Sequence, residues 1–297
     1  MAIRSVGIVG GGTMGQGIAV ACASAGLDVL LVEKTPELGQ EALAGIAEAL
    51  DRDIAKWRRT ESEKRAIMAR VGLAEGLSAL EPTNLVIEAV SEDLELKSSL
   101  FQQLDRLGAP DDILASNTST LSVTEIAART TRPERVIGLH FLQPVPKVPL
   151  VEVVRGLKTN DDTYRRALEF VRVLGKTGIE VFEYPGYVTR RVIRPCLNEA
   201  MHVVMEGVAS AEAVDTSMRL GYGLPVGPLQ LADRIGLDEV MRWMQYLFDE
   251  LGDVKYRPCP LLRKMIRAGH LGQKSGRGFF EYDAAGHPKP VSSEGRE

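Results

Sequence analysis

The chain has 297 residues, 44% hydrophobic and 26% charged, with 36 Lys and Arg against 40 Asp and Glu for a formal charge of -4. At about 150 residues per domain the length predicts two domains. The composition excludes a disordered, collagen-like or coiled-coil chain, and the charge leaves no basic footprint for nucleic acid. Cys22, Cys196 and Cys259 are too widely spaced for a disulfide framework or a thiolate metal site, so no metal is expected, and Cys196 and Cys259, with no activating His nearby in sequence, read as inert. A cytoplasmic location is expected: the opening residues carry no secretory pattern, and no stretch approaches the roughly 18 apolar residues of a membrane helix.

In chain order, Ser5 to Val9 predicts a short buried strand, Gly10 to Gly15 a turn, and Thr13 to Ala25 a small-residue helix ended by Gly26. Leu27 to Glu33 reads as the next strand, Pro36 to Lys56 as a helix, and Glu61 to Arg70 as another behind a Thr cap. Strands follow at Leu85 to Val90, Ile113 to Ser116 and Val136 to His140, separated by helices at Leu94 to Leu107 and Val123 to Arg129. Apolar strands alternating with helices predict an α/β fold with a Rossmann-like, doubly wound, largely parallel sheet. Beyond a proline-rich loop come a strand at Leu150 to Val154, a helix at Asp161 to Leu174 and a strand at Thr177 to Phe182.

The Tyr184-Pro185-Gly186 break divides a dinucleotide-binding domain, 1–185, from a second domain, 186–297. Helical periodicity over Tyr187 to Glu206, Ala211 to Leu220, Gly227 to Leu251 and Pro260 to Ala268 makes that second domain all-helical, with Pro195 predicting a kink or a late start. The last fifteen or so residues read as a loose tail.

Gly10-Gly11-Gly12-Thr13-Met14-Gly15 fits G-x-G-x-x-G directly after a strand and opening a helix, and Glu33 ends the following strand. Gly10 allows the tight turn, Gly12 lets backbone approach a pyrophosphate, and Gly15 allows close packing of helix on strand. Glu33 can bond ribose hydroxyls and repel a 2'-phosphate, which points to NAD. His140 sits at the carboxyl end of a core strand, where open α/β sheets place ligands, and titrates near neutrality, so it is the candidate acid/base. Glu152, twelve residues on, is either its orienting carboxylate or a strand-edge charge.

SNTST at Ser116 to Thr120, GLHFLQPVP at Gly138 to Pro146, LVEV at Leu150 to Val153 and PGYVTRR at Pro185 to Arg191 resemble successive signatures of the short-chain L-3-hydroxyacyl-CoA dehydrogenases. LNEAMHVVMEG, GYGLPVGPLQLADRIGLD and PLLRKMIRAGHLGQKSGRGFFEY extend the resemblance over nearly the whole chain. It implies NAD as cofactor, a 3-hydroxyacyl-CoA such as 3-hydroxybutyryl-CoA as substrate, and a homodimer with a helical substrate-binding and dimerisation domain. It also implies His140 and Glu152 as catalytic residues, Ser119 on the substrate, and Glu92, Lys97 and Asn117 on the nicotinamide side. Read only as residue types, Asn117 and Ser119 could cap the helix near Leu121, and Glu92 and Lys97 could be a solvated pair.

Two positions depart from the family's pattern. Gln143 stands where its HFFNP motif has Asn, and Arg190 where Asn precedes the matching Arg191. Both are candidate substrate contacts. Gln143 and the permanent charge of Arg190 make a more polar or anionic hydroxyacyl group, hydroxymalonyl-type and carried on CoA or a carrier protein, the alternative substrate, unless Arg190 turns to solvent or pairs with an acid. A nucleotide-binding structural or sensing protein is the alternative outside enzymes. Lys56, Arg58 and Arg59 could meet a phosphate of CoA or be a solvated helix end. The reacting centre is expected in the cleft between domains. His202 reads as a core or dimer-contact residue.

Overall fold

The structure is a computed structural model that describes residues 3–289. It divides into two compact units, one running to Tyr187 and one beginning at Val188.

Among the described residues of the first unit, eight strands form one sheet in the order β3-β2-β1-β4-β5-β6-β7-β8. They are β1 (Ser5–Val9), β2 (Asp28–Val32), β3 (Val71–Leu73), β4 (Leu85–Glu88), β5 (Ile113–Ser116), β6 (Val136–Phe141), β7 (Leu150–Arg155) and β8 (Thr177–Phe182). Every neighbouring pair is parallel except β6 and β7. The reversal has a simple cause. A parallel return needs a crossover of about a dozen residues or more, and the short proline-rich link between these strands cannot supply one.

The central strands β4, β5 and β6 are buried throughout, as their continuous apolar runs require, while the edge strand β8 exposes Thr177, Glu180 and Phe182. Helices α1 (Thr13–Ser24), α2 (Pro36–Ile54) and α6 (Asp161–Val173) bury Ile18, Ala42, Ile46 and Phe170 against one face, with α3 (Glu61–Met68) beside α1 and α2. Helices α4 (Leu94–Leu107) and α5 (Val123–Ala127) bury Phe101, Leu104, Val123 and Ile126 against the other. The chain crosses from β1 toward β2 and later from β3 to β4 on the opposite side of β1. The carboxyl ends of β1 and β4 therefore flank the switch point where doubly wound sheets open a crevice.

In the second unit α7 (Thr189–Met205), α8 (Ala211–Tyr222), α9 (Pro228–Ile235), α10 (Leu237–Leu251) and α11 (Pro260–Arg267) share a core of Leu197, Met201, Leu229, Val240, Met244, Leu247 and Leu262. The single helix expected over Gly227 to Leu251 is two, because Gly236 takes φ +100°, a left-handed conformation that breaks the run. Pro195 lies inside α7, which starts at Thr189 ahead of it. After α11 the chain makes isolated bridges, Gly272 with Arg277, Arg277 with Glu281, and Tyr282 with Pro288.

The expected loose tail begins with a tied turn. The Asp283 carboxylate accepts from Ala285 N and His287 N, and Lys289 N donates to Glu281 O. The rest of that tail, 290–297, lies outside the described residues.

Asp233, on α9, anchors this segment. It is 1% exposed and accepts from Phe279 N, Phe280 N and the Tyr282 hydroxyl, each at 3.0 Å. A buried donor left without an acceptor costs about 1–3 kcal/mol. Asp233→Ala should therefore lower unfolding stability by about 2 kcal/mol or more, measured by denaturant titration; an unchanged midpoint would show that the anchor contributes nothing.

Candidate active site

The turn after β1 is built by its glycines. Gly10 has φ +100°, and a Cβ there would sit 2.7 Å from the Ala89 carbonyl oxygen. A Cβ on Gly15 would lie 1.8 Å from Gly10 O, so only glycine lets α1 pack this closely on the strand. Around Gly12 nothing lies within 4 Å of where a Cβ would be. That open flank, with Thr13 and Met14 beginning α1 and no side chain capping it, leaves amide donors and the positive end of the helix dipole facing outward. The half-buried Glu33 accepts from Gly11 N at 2.5 Å and Lys34 N at 3.0 Å, and a carboxylate has further lone pairs for ribose hydroxyls. These features fit a dinucleotide.

At the carboxyl end of β6, the antiparallel register sets His140 directly opposite Glu152 of β7. Their side chains are 3% and 0% exposed, and His140 Nδ1 lies 2.5 Å from Glu152 Oε2. A carboxylate can only accept, so Nδ1 is the donor, and in the neutral ring Nε2 carries the lone pair. The Tyr187 ring packs on His140 with centroids 5.5 Å apart. Tyr187 takes φ +47°, a left-handed conformation rare for an aromatic residue, and the proline and glycine ahead of it give it no such licence. Sequence reasoning did not single out Tyr187; its only signal was the PGY in PGYVTRR.

The SNTST loop after β5 is held by an ionic network. Glu92 Oε1 accepts from Thr118 Oγ1 at 2.8 Å, Ser119 N at 2.8 Å, Ser119 Oγ at 3.2 Å, Thr120 N at 3.0 Å and Thr120 Oγ1 at 2.7 Å. Its Oε2 lies 3.2 Å from Lys97 Nζ, which also meets Glu88 Oε1 at 2.5 Å. Lys97 is 1% exposed, so the solvated-pair reading of Glu92 and Lys97 fails. The capping reading fails as well, because Ser122 caps α5 by accepting from Glu125 N. Asn117 instead accepts from Phe141 N at 3.0 Å, tying this loop to the residue after His140.

Glu88 was given no role by the residues alone, lying inside the strand expected over Leu85 to Val90, and Ser116 entered only as the first residue of the SNTST signature. Burial pushes the Glu88 carboxyl up, against the pull of Lys97. Burial would also raise Glu92, but the Lys97 ammonium and the donors on Thr120, Ser119 and Thr118 outweigh it and hold Glu92 at about 2.

Gln143 is exposed, at a cis bond to Pro144. Arg58 and Arg59 lie 3.9 and 3.8 Å from Asp53, and Trp57 between Lys56 and Arg58 is 96% exposed. In the helical unit the Arg190 guanidinium carbon stacks 3.4 Å above the Trp243 ring, whose Nε1 donates to Glu239. His202 is half-buried, 4.0 Å from Glu206. Burial pushes the Cys22 thiol up to about 12, and those of Cys196 and Cys259 upward, which leaves them protonated. Among the described residues no cluster of His, Cys, Asp and Glu could hold a metal ion, and no helix is long and apolar enough to cross a membrane.

Known proteins resemble this chain over nearly its full length. Family models for the 3-hydroxyacyl-CoA dehydrogenase NAD binding domain and C-terminal domain match residues 5–184 and 186–282. The chain is 47% identical over 283 residues to a probable 3-hydroxybutyryl-CoA dehydrogenase of Bacillus subtilis, covering 95% of this chain and 99% of that one. It is 44% identical over 289 residues to the 3-hydroxybutyryl-CoA dehydrogenase of Bradyrhizobium diazoefficiens, covering 97% and 98%. The crystal structure of (S)-3-hydroxybutyryl-CoA dehydrogenase from Ralstonia eutropha superposes with a TM-score of 0.89 at 45% identity, covering 95% of this chain and 100% of that one.

Two outcomes follow from the geometry. Gly12→Ala should change stability by less than about 1 kcal/mol yet weaken NADH binding at least about tenfold in a fluorescence titration, whereas Gly15→Ala should cost about 1–3 kcal/mol of stability through overpacking. Equal effects of the two substitutions would contradict the assignment. Because Glu92 is held at about 2, below its ordinary 4.5, it stabilises the fold above about pH 4.5, and that contribution disappears as pH falls toward 2. The melting-temperature gap between wild type and Glu92→Gln should be widest above pH 5 and close with acidification; a gap independent of pH would refute the shift.

Proposed function

The chain belongs to the 3-hydroxyacyl-CoA dehydrogenase family, and from that premise we propose that it interconverts short-chain 3-hydroxyacyl-CoA and 3-oxoacyl-CoA, with 3-hydroxybutyryl-CoA as representative substrate. The observation that carries the proposal is the buried His140–Glu152 pair at the carboxyl end of β6, in the same sheet whose β1 ends in a glycine turn fitted for NAD. Such NAD-dependent oxidoreductases take hydride from the carbinol carbon of the substrate and return it in the reverse direction.

Gly10, Gly12, Thr13, Met14 and Gly15 would hold the pyrophosphate against the amides of α1, and Glu33 the adenosine ribose. Cofactor supplies the hydride acceptor or donor when bound; the protein supplies the proton. His140 Nε2 removes the proton of the 3-hydroxyl during oxidation and returns it during reduction. Glu152 fixes the Nδ1–H tautomer and stabilises the imidazolium that forms, as a buried carboxylate does for a catalytic imidazole in hydrolytic triads.

Ser119 is suited to bond the substrate oxygen. Its hydroxyl is the most loosely held of the five donors crowding Glu92 Oε1, at 3.2 Å, so it can turn to a ligand while the loop stays anchored. Glu92 and Lys97 act on the nicotinamide side through that loop, and Asn117 keeps it aligned with the strand bearing His140. The exposed Trp57 with Lys56 and Arg58 is a surface on which the CoA nucleotide can rest. Arg190, stacked on Trp243 with Glu239 beside that ring, already has its charge accommodated, so the anionic-acyl alternative is not the reading we adopt. Exposed Val192, Leu220 and Tyr222 in the helical unit are apolar surface that a second copy would cover, in keeping with a homodimer.

NADH absorbance traces with acetoacetyl-CoA and with thioesters of graded length and charge should show fastest turnover on short uncharged acyl groups. His140→Ala should lower kcat about 10²- to 10⁴-fold. A preference for acidic thioesters would restore the alternative, and a His140→Ala enzyme within tenfold of wild type would remove the acid/base assignment.

A further inference from the structure

One buried ammonium is shared between two carboxylates. Lys97 Nζ has three protons and three neighbours: Glu88 Oε1 at 2.5 Å, Glu92 Oε2 at 3.2 Å and Val90 O at 3.4 Å. Lys97 is 1% exposed and Glu88 0%. Neither charge can be relieved by water, so each holds the others in place.

From Glu88 two routes lead to the same loop. One runs through Lys97 to Glu92, which grips Thr118, Ser119 and Thr120. The other runs from Glu88 Oε2 to Ser116 Oγ at 2.6 Å, and Ser116 Oγ in turn accepts from Thr118 N at 3.1 Å. Glu88 also accepts from Val90 N at 2.7 Å, which fixes the start of the turn leading to Glu92. Glu88 thus sits at the end of β4, next to the switch point, and ties together β4, α4 and the end of β5. It touches neither Ser119 nor His140.

We propose that Glu88 is a positioning residue for the dehydrogenase reaction: by holding Lys97 and Ser116 it sets the Ser116–Thr120 loop, so that the Ser119 hydroxyl can turn from Glu92 to the substrate oxygen. The inference rests on the reading of Ser119 as the substrate-bonding group. Its physical content is competition for Lys97. When the Glu88 charge is removed, Lys97 is drawn onto Glu92 alone, and Glu92 shifts relative to the hydroxyls it anchors. A displacement of about 1 Å at such a group can cost about a hundredfold in rate.

A double-mutant cycle tests this, with NADH and acetoacetyl-CoA as the reactants and Glu88→Gln, Ser119→Ala and the double variant measured beside wild type. Glu88→Gln keeps the side-chain shape. It should lower kcat about 10- to 100-fold, with KM for NADH changing less than kcat, since the glycine turn and Glu33 keep their contacts while Lys97 and Glu92 shift. In the Ser119→Ala background the same substitution should change kcat by less than about threefold, because the group it positions is gone. A Glu88→Gln enzyme with wild-type kcat, or an equal loss in both backgrounds, overturns the proposal; equal losses are what a merely structural role would give. Should Glu88→Gln fail to fold, Ser116→Ala takes its place in the cycle, with the same coupling expected and the same additivity fatal. Wild-type turnover separates the two levels of inference. Without turnover of any 3-hydroxyacyl or 3-oxoacyl thioester the dehydrogenase reading falls; with turnover but no coupling, only the role of Glu88 does.

Discussion

An imidazole and a carboxylate face each other across a single antiparallel strand pair, both out of reach of water, and the rest of the first unit is arranged around that fact. A buried carboxylate is tolerable only when its oxygens find donors, and His140 Nδ1 gives one to Glu152 at 2.5 Å. The pair depends on register. A one-residue slip of β7 on β6 would turn Glu152 to the other face of the sheet and leave two buried polar groups unsatisfied. The short, proline-rich link from β6 to β7 forces the reversal that puts the two residues opposite each other. The proposed proton chemistry thus begins as a constraint on chain connectivity.

The same economy governs the neighbouring loop. The ends of β4 and β5 bring Glu88 and Ser116 into the sheet's crevice, and Lys97 on α4 closes the network from outside. Because Lys97 and Glu88 are buried, the network holds the SNTST loop more firmly than a surface ion pair would, where exposed pairs contribute about 0–1 kcal/mol. Asn117 then links loop to strand through Phe141 N. In the proposed reaction Ser119 and His140 share a substrate oxygen, and the Asn117–Phe141 hydrogen bond joins the loop that bears one to the strand that bears the other.

Much of this was legible in the residues. The alternation of apolar strands with capped helices, the spaced glycines and the lone strand-end histidine carry their meaning locally, since periodicity and backbone conformation are local properties. What the residues concealed is non-local or small. Val71–Leu73 is a three-residue edge strand, too short for an alternating pattern. The break at Gly236 lies within apolar spacing that continues on both sides, so only its positive φ reveals it. Glu88 reads as one more residue of the strand expected over Leu85 to Val90 until Lys97 is seen folded over it. Asn117 and Ser119 resemble helix caps, and the cap is instead Ser122. Arg190 stands out by charge alone, while its stacking on Trp243 depends on how α7 and α10 pack within their own unit.

The central claim is that Glu152 fixes the proton on His140 Nδ1 and so keeps Nε2 as the base. Nitrogen-15 NMR of the histidine-labelled protein at neutral pH reads this directly. The account predicts a protonated Nδ1 with a strongly downfield proton, an unprotonated Nε2, and loss of that downfield proton in Glu152→Gln. A neutral ring carrying its proton on Nε2, unchanged by the substitution, would contradict it.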